Sequence, residues 1–224
     1  MPSASSSLRA RLRRVAERLA GAYGRPRRRR GDPLDVLVET VLSQNTSDLN
    51  SGRAFRSLKA AFPTWPAVAG ASPAAVERAI RVGGLARTKS RRIQALLLAL
   101  EAREGGYDLR VLRRLDAARA AERLAGLPGV GPKTRACVLL FACGHPAFPV
   151  DTHVHRIVRR LGLVEARAGA AQAQAALEPL VPADHALDLH LNLIRLGREV
   201  CRPHAPRCPG CALRRSCPFP RQAA

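Results

Sequence analysis

Lys133 is the residue of this sequence with the clearest chemical potential, because it is a lysine in a chain that otherwise uses arginine. Of the 38 basic residues, 35 are Arg, and Lys occurs only at positions 59, 89 and 133. A phosphate clamp needs only a positive charge, whereas a nucleophile needs an amine that can lose its proton, which Arg cannot do. The composition therefore favours a nucleophilic amine at Lys133, with the phosphate clamp as the alternative.

The segment that carries Lys133, LPGVGPKTRA at 127–136, has the composition of a tight turn followed by a helix. Gly129 and Gly131 permit backbone angles that other residues resist, and Pro132 suits the first position of a helix. The free amides of that helix start could bind a phosphate, and its dipole would disfavour an ammonium at Lys133. A plain turn between packed helices is the structural alternative. As a whole, the string resembles the helix-hairpin-helix motif, which grips a DNA phosphate through backbone amides.

Asp151 follows Lys133 by 18 residues and precedes a helical pattern in FPVDTHVHRIVRRLG, residues 148–162. Its simplest role is to cap that helix, an interaction that contributes about 1 kcal/mol. Capping is compatible with catalysis, because a carboxylate held by backbone amides could stabilise positive charge at a sugar C1′ or help Lys133 lose its proton.

Four cysteines near the carboxyl end have the spacing C-x6-C-x2-C-x5-C, at Cys201, Cys208, Cys211 and Cys217. The sequence shows no secretory signal, so a disulfide framework would be unusual, and four such thiolates suit either zinc or an iron–sulfur cluster. The spacing alone leaves the two metals undecided. The loop between the first two cysteines contains basic residues that could contact a second phosphate, Arg202, His204 and Arg207. Cys137 and Cys143 are predicted to be small buried residues.

The net charge of +21 indicates a polyanionic partner. Nucleic acid is the first candidate and an anionic membrane surface the second. The sequence contains no run of about 18 uncharged apolar residues, which excludes a membrane span. The first 20 residues are rich in Ser and Arg but include Glu17, and we interpret them as an amphipathic helix of a cytoplasmic protein.

Apolar residues recur with helical spacing along almost the whole chain, and no period-two pattern is long enough to predict a strand. Ser47 with Asp48, and Ser72 followed by Pro73, are predicted to begin helices. We therefore predict an all-α fold that includes helices at roughly 132–143, 152–162, 170–180 and 183–199.

These motifs together resemble the endonuclease III family of the helix-hairpin-helix, Gly/Pro-Asp DNA glycosylases, from about Leu34 to Cys217. By this resemblance Lys133 is the nucleophile, Asp151 within VDTH is the catalytic carboxylate, and the four cysteines ligate a [4Fe-4S] cluster rather than zinc. The segment LSQNTSD at 42–48 is similar to the motif whose polar residue fills the gap left by a flipped base, with Asn45 at the aligned position and Gln44 beside it. GGLARTK at 83–89 is similar to the loop that supplies an apolar wedge, here Leu85. Pro132 stands where the family has a basic residue.

The resemblance implies two helical lobes with a DNA-binding cleft between them. One lobe is a six-helix barrel at 27–145 with the helix-hairpin-helix at about 116–143, and the other joins 1–26 to 146–224 as the iron–sulfur cluster domain. It also implies a monomer, in the bacterial cytoplasm or nucleoid, that removes oxidised pyrimidines from duplex DNA and cleaves the strand as an AP lyase. The alternatives are a mismatch-directed thymine or uracil DNA glycosylase and a non-catalytic DNA-binding iron–sulfur protein.

Overall fold

The computed structural model describes residues 4–27 and 30–219, and all regular secondary structure in these two ranges is helical. This confirms the prediction of an all-α protein. The α-helices in the described ranges are α1 (Ala4–Tyr23), α2 (Pro33–Leu42), α3 (Asp48–Ala61), α4 (Trp65–Gly70), α5 (Pro73–Ala79), α6 (Ala86–Glu104), α7 (Ala117–Leu124), α8 (Pro132–Cys137), α9 (Thr152–Arg160), α10 (Ala170–Leu177) and α11 (Ala186–Glu199).

Side-chain caps begin several of these helices where the sequence predicts them. The Ser47 hydroxyl accepts a hydrogen bond from the Asn50 amide at 3.3 Å, and the Ser72 hydroxyl accepts one from the Ala75 amide at 3.3 Å. Each bond satisfies an amide that has no partner inside its own helix. The predicted starts of α3 and α5 are therefore confirmed.

The chain separates into two compact units. The first unit combines the described residues of 1–29 and 145–224, and the second consists of those of 30–144. In the first unit α11 packs against both α1 and α9. The apolar faces of these three helices form its core, which contains Leu12, Val15, Leu19, Val154, Ile157, Leu189, Leu193 and Leu196.

The second unit is organised around α2, which contacts α3, α6 and α8. Five apolar side chains of this ten-residue helix are fully buried, a distribution expected of a helix surrounded by others rather than of an amphipathic surface helix. They are Leu34, Leu37, Val38, Val41 and Leu42. The helix therefore fixes the position of its carboxyl end, from which the LSQNTSD segment continues.

Two local features differ from the sequence prediction. The helix predicted at 132–143 begins as α8 but widens into a π-helical segment over Val138–Cys143, and it ends at Gly144 with φ of 88°. The six-residue helix α4 has no counterpart in the prediction, because fewer than two turns give no measurable apolar period. Elsewhere in the described ranges the predicted helical segments are present.

No helix in the described part of the chain combines the length and apolar character needed to cross a membrane.

Candidate functional site

The turn before Lys133 is formed by glycines in the second unit. Gly129 has φ of +76°, a left-handed conformation that disfavours any side chain, and the Val130 amide closes the turn by donating to the Leu127 carbonyl at 3.1 Å. Gly131 is the N-cap of α8, and Pro132 is its first residue. Because Pro132 has no N–H, the first amides of α8 are those of Lys133 and Thr134, and they follow a turn that contains two glycines, an arrangement that can bind a phosphate.

Lys133 is the second residue of α8 and is half-buried. Thr134 and Ala136, on the same short helix, are buried and hold it against the rest of the unit. The amine is therefore attached to the same rigid segment as the amides of the turn. A ligand phosphate bound at the turn would be held at a fixed position relative to the Lys133 side chain.

Asp151 is the N-cap of α9 in the first unit. Its Oδ1 atom accepts a hydrogen bond from the Val154 amide at 2.7 Å, and the side chain is half-buried. The preceding residue, Val150, is buried and donates its amide to Gln174 Oε1 at 3.4 Å. These contacts fix the carboxylate without enclosing it, so that it can serve as a cap and still be accessible to a ligand.

Gln44 and Asn45, the two candidates for filling a vacated base stack, have different environments. Gln44 is half-buried, and its Oε1 atom accepts a hydrogen bond from Arg92 Nη1 at 2.9 Å. Asn45 is exposed and adopts a left-handed backbone conformation with φ of 54°. The geometry presents Asn45 to solvent and holds Gln44 against the protein, which favours Asn45 as the inserting residue.

Leu85 is an exposed leucine at the start of α6. The residue is 58% exposed. Its φ of 48° is again left-handed, which is unusual for a residue with a bulky side chain. Its carbonyl accepts hydrogen bonds from the Thr88 amide at 3.1 Å and the Lys89 amide at 3.0 Å. An apolar side chain held outward in a strained conformation is typical of a functional position.

Arg92 was not identified from the sequence. While its guanidinium binds Gln44, its aliphatic stem lies beside the turn, because a Cβ placed on Gly129 would be 3.6 Å from Arg92 Cδ. Arg92 therefore links the LSQNTSD segment to the hairpin turn. One arginine among 35 gives no sequence signal for such a role, whereas Lys89, a second residue that the sequence did not identify, was detectable as a rare lysine.

The four carboxyl-terminal cysteines are all half-buried free thiols in the first unit. Burial raises the pKa of the Cys211 thiol, and the neighbouring Cys201 and Cys208 sulfurs raise it further. Burial also raises the pKa of Cys217, with further contributions from Cys201, Cys211 and Cys208. All four sulfurs thus lie in one neighbourhood, while Cys137 and Cys143 are buried elsewhere, as predicted.

The donor set is compatible with an iron–sulfur cluster. In residues 4–27 and 30–219 no three His, Cys, Asp or Glu side chains converge as ligands of one metal ion. Four neighbouring cysteines are the ligands that a cluster uses. Cys201 accepts a hydrogen bond from Arg160 Nη1 at 3.2 Å, and Cys211 accepts one from the Leu213 amide at 3.4 Å.

The loop between the first two cysteines projects its basic side chains into solvent. Arg202, His204 and Arg207 are all exposed. The start of the loop is held by α9, because Arg156 Nε donates to the Cys201 carbonyl at 3.0 Å and Arg160 donates to the Arg202 and Pro203 carbonyls at 2.7 and 2.9 Å. The helix α9, whose start is capped by Asp151, therefore anchors this loop through Arg156 and Arg160.

A protein-family model matches more than half of the chain. Residues 38–183 match the model of the HhH-GPD superfamily of base excision DNA repair proteins. The endonuclease III of Thermotoga maritima is 38% identical over 191 residues, which cover 85% of each chain. A candidate DNA glycosylase of Arabidopsis thaliana is 42% identical over 165 residues, which are 74% of this chain but only 56% of that longer protein.

Solved structures show the same fold. A non-covalent endonuclease III–DNA complex superposes with a TM-score of 0.82 and 26% sequence identity, covering 100% of this chain and 99% of that chain. A trapped endonuclease III–DNA covalent intermediate gives a TM-score of 0.81 at 27% identity, with the same coverage of 100% and 99%. A thermostable thymine-DNA glycosylase, at 19% identity and a TM-score of 0.79 over 98% of this chain and 100% of that one, shares the fold alone.

Proposed function

The chain belongs to the HhH-GPD superfamily of base excision DNA repair proteins as an endonuclease III-like DNA glycosylase, and we propose that it is bifunctional. Its substrate is duplex DNA that contains an oxidised pyrimidine or an abasic site. It removes the base and then cleaves the strand as an AP lyase. The observation that carries this proposal is that Lys133, an amine rather than a guanidinium, lies at the second position of α8 directly after the glycine turn.

The turn supplies binding and Lys133 supplies chemistry. A backbone phosphate of the DNA binds at the start of α8, where the Lys133 and Thr134 amides follow Pro132 and the helix dipole favours negative charge. The Lys133 amine forms a bond to C1′ of the extruded nucleotide as the glycosidic bond breaks, and the bonding electrons leave with the base, which takes up a proton. Ring opening converts the adduct into a Schiff base, and loss of a proton from C2′ then expels the 3′ phosphate.

Asp151 assists this sequence through its charge. Positive charge develops at C1′ as the base leaves, and a fixed carboxylate stabilises it without reorganising. The hydrogen bond from the Val154 amide occupies one oxygen of Asp151 and holds the group in place for this role.

Base extrusion depends on Asn45 and Leu85, two exposed residues of the second unit. Unstacking a nucleotide costs a few kcal/mol, least where the base is damaged. Asn45 fills the vacated position and Leu85 acts as the apolar wedge, while Gln44 supports the segment through Arg92. Arg202, His204 and Arg207 provide further phosphate contacts.

Cys201, Cys208, Cys211 and Cys217 would hold a [4Fe-4S] cluster. When bound, the cluster supplies a rigid cross-link among the four cysteines and no step of the base-removal reaction. The chain's own contribution is the pair of arginines on α9 that fix the first cysteine and the start of the basic loop. Iron and sulfide content of the purified protein tests this assignment, and one zinc with no iron would contradict it.

Borohydride trapping tests the lyase mechanism. The protein is incubated with duplexes that contain thymine glycol, an abasic site or a G·T mismatch, and the Schiff base is reduced to a stable covalent adduct. We expect adducts on the first two duplexes. Trapping on no duplex would refute the lyase activity, and base release from the G·T duplex alone would identify a mismatch glycosylase.

Two variants assign the nucleophile in that experiment. Lys133→Arg keeps the positive charge but cannot form a Schiff base, so it should retain DNA binding and lose trapping entirely. Lys133→Ala should lose both the charge and the adduct. An adduct that persists in Lys133→Ala would show that another amine is the nucleophile.

A further inference from the structure

Lys89 is a buried lysine whose ammonium joins two separate segments of the second unit. The residue lies on α6, is only 2% exposed, and is among the largest fully buried side chains of the described residues. Its Nζ atom donates hydrogen bonds to the Leu42 carbonyl and to the Gly83 carbonyl, both at 2.7 Å. Such short bonds from a charged donor are among the strongest hydrogen bonds in proteins.

The two carbonyls lie a few residues before the two residues proposed to enter the DNA. Leu42 ends α2, three residues before Asn45, and Gly83 ends the short 3-10 helix Arg81–Gly83, two residues before Leu85. The backbone amide of Lys89 also donates to the Leu85 carbonyl at 3.0 Å. A single residue therefore contacts both segments, through its side chain and through its main chain.

Both segments contain a left-handed residue, and at Leu85 this conformation is strained. Asn45 and Leu85 have φ of 54° and 48°, two of the three positive φ values among non-glycine residues of the described ranges. Asn tolerates this left-handed conformation, whereas Leu keeps it only where neighbouring contacts determine it. The contacts of Lys89 are placed to hold the Leu85 backbone and to fix the end of the helix that leads to Asn45.

The position also explains why this residue is a lysine in an arginine-rich chain. An ammonium is compact and can direct its donors to two carbonyls that converge from different segments, whereas a planar guanidinium is larger and rigid. Burial lowers the pKa of Lys89, as expected when a cation is removed from water. The Leu42 carbonyl offsets this cost, because it lies at the negative end of the α2 dipole.

We propose that Lys89 is a positioning residue that fixes the Asn45 segment and the Leu85 loop as one rigid unit, so that both residues enter the DNA stack together. This inference rests on the proposed function of Asn45 and Leu85. It assigns no chemistry to the Lys89 amine. Its effect on base removal is exerted entirely through the position of the two inserting residues.

Amide hydrogen exchange of the free protein tests the positioning independently of catalysis. In Lys89→Met we expect faster exchange in peptides that cover 42–48 and 81–88, and unchanged exchange in the hairpin peptide around α8. Lys59→Met is the matched control, because it removes the same charge from a lysine that pairs with Asp35 at 3.6 Å and lies over the Trp65 ring. Faster exchange in only one of the two loops, or throughout the unit, would overturn the proposal.

Insertion into DNA is measured with a duplex that carries 2-aminopurine next to an abasic site. Wild-type protein and Lys59→Met should raise the fluorescence as the stack opens, and Lys89→Met should not. The ratio of affinities for abasic and intact duplex should fall about tenfold in Lys89→Met, the size expected when hydrogen bonds from a buried charge are lost. Affinity for intact duplex should stay unchanged, because the phosphate contacts of the hairpin are retained.

Lys89→Gln replaces the ammonium with a smaller neutral side chain that can still donate hydrogen bonds. This second variant keeps the proposal testable if Lys89→Met fails to fold. It should give an intermediate affinity ratio and intermediate exchange rates. A wild-type ratio and fluorescence rise in both Lys89 variants would overturn the proposal. If wild-type protein itself shows no fluorescence rise, the proposed function fails instead, and the exchange measurement still decides whether Lys89 joins the two loops.

Discussion

The three lysines of the chain occupy three chemically different environments. Lys59 pairs with Asp35 and stacks over Trp65, Lys89 is buried between two carbonyls, and Lys133 is half-buried at the start of α8. Rarity alone therefore does not identify a nucleophile, because Lys89 is a lysine for reasons of packing. What distinguishes Lys133 is its place on the helix that follows the glycine turn.

Asp151 allows capping to be separated from catalysis by a single substitution. Asp and Asn are about equally good N-caps, so Asp151→Asn should change the free energy of unfolding by less than roughly 0.5 kcal/mol. Loss of the negative charge should lower the single-turnover rate of base removal by about 10²–10⁴-fold, the usual contribution of a positioned acid or base. Thermal unfolding and single-turnover kinetics on one lesion-containing duplex measure the two effects.

Asp116→Asn is the matched control for that experiment. Asp116 is the N-cap of α7, accepts a hydrogen bond from the Arg119 amide at 2.8 Å, and is exposed. The same chemical change should leave the rate unaltered there. Equal loss of activity in the two variants, or full activity in Asp151→Asn, would limit Asp151 to capping.

The sequence predicts those helices that are marked by caps and apolar periodicity. It does not predict a helix that is too short to show a period, or a feature that depends on contacts between distant residues. Ser47 and Ser72 could be identified as caps because a side-chain oxygen bonds an amide only a few residues away. The helix α4 is too short for a period, and the widened segment Val138–Cys143 packs against α2, which lies about 100 positions earlier in the sequence. The contacts of Arg92 and Lys89 join residues more than 40 positions apart, which no local pattern reveals.

The helix α9 combines two functions at its two ends. Asp151 caps its start, and Arg160 near its end holds Cys201 Sγ and the Arg202 and Pro203 carbonyls. A rigid helix of this kind transmits the position of the cysteine loop to the candidate catalytic carboxylate. Disruption of α9 should therefore displace both the cysteine loop and the Asp151 carboxylate.

Removal of the Arg160 side chain should loosen the cysteine loop without unfolding the helix. We expect Arg160→Leu to lose iron to a chelator several-fold faster than wild type, because Cys201 loses its charged donor and the loop loses two carbonyl contacts. Iron retained per protein, measured over time, gives this rate. Arg159→Leu removes the same charge from a neighbouring exposed position and should release iron at the wild-type rate. Identical rates in all three proteins would show that Arg160 does not support the cluster loop.

At the scale of the whole molecule, the net charge of +21 predicts DNA binding that weakens steeply with salt. Each phosphate contact contributes roughly 0.9 to the slope of log affinity against log salt, because a bound counterion is released. The slope therefore counts contacts rather than charges, and it should be far smaller than the number of basic residues. The charge that does not contact DNA speeds association but adds little to specificity.

The loop between Cys201 and Cys208 allows the number of phosphate contacts to be tested. Arg202→Ala and Arg207→Ala should each reduce the salt slope by about one and weaken binding to damaged and intact duplex equally, as expected for phosphate contacts. Arg110→Ala is the control, because Arg110 has a side chain that is 68% exposed but is paired with Asp108 at 2.6 Å. Its removal should leave the slope unchanged. A slope reduced equally by all three substitutions would mean that binding responds to net charge alone. Arg202 and Arg207 would then make no specific phosphate contacts.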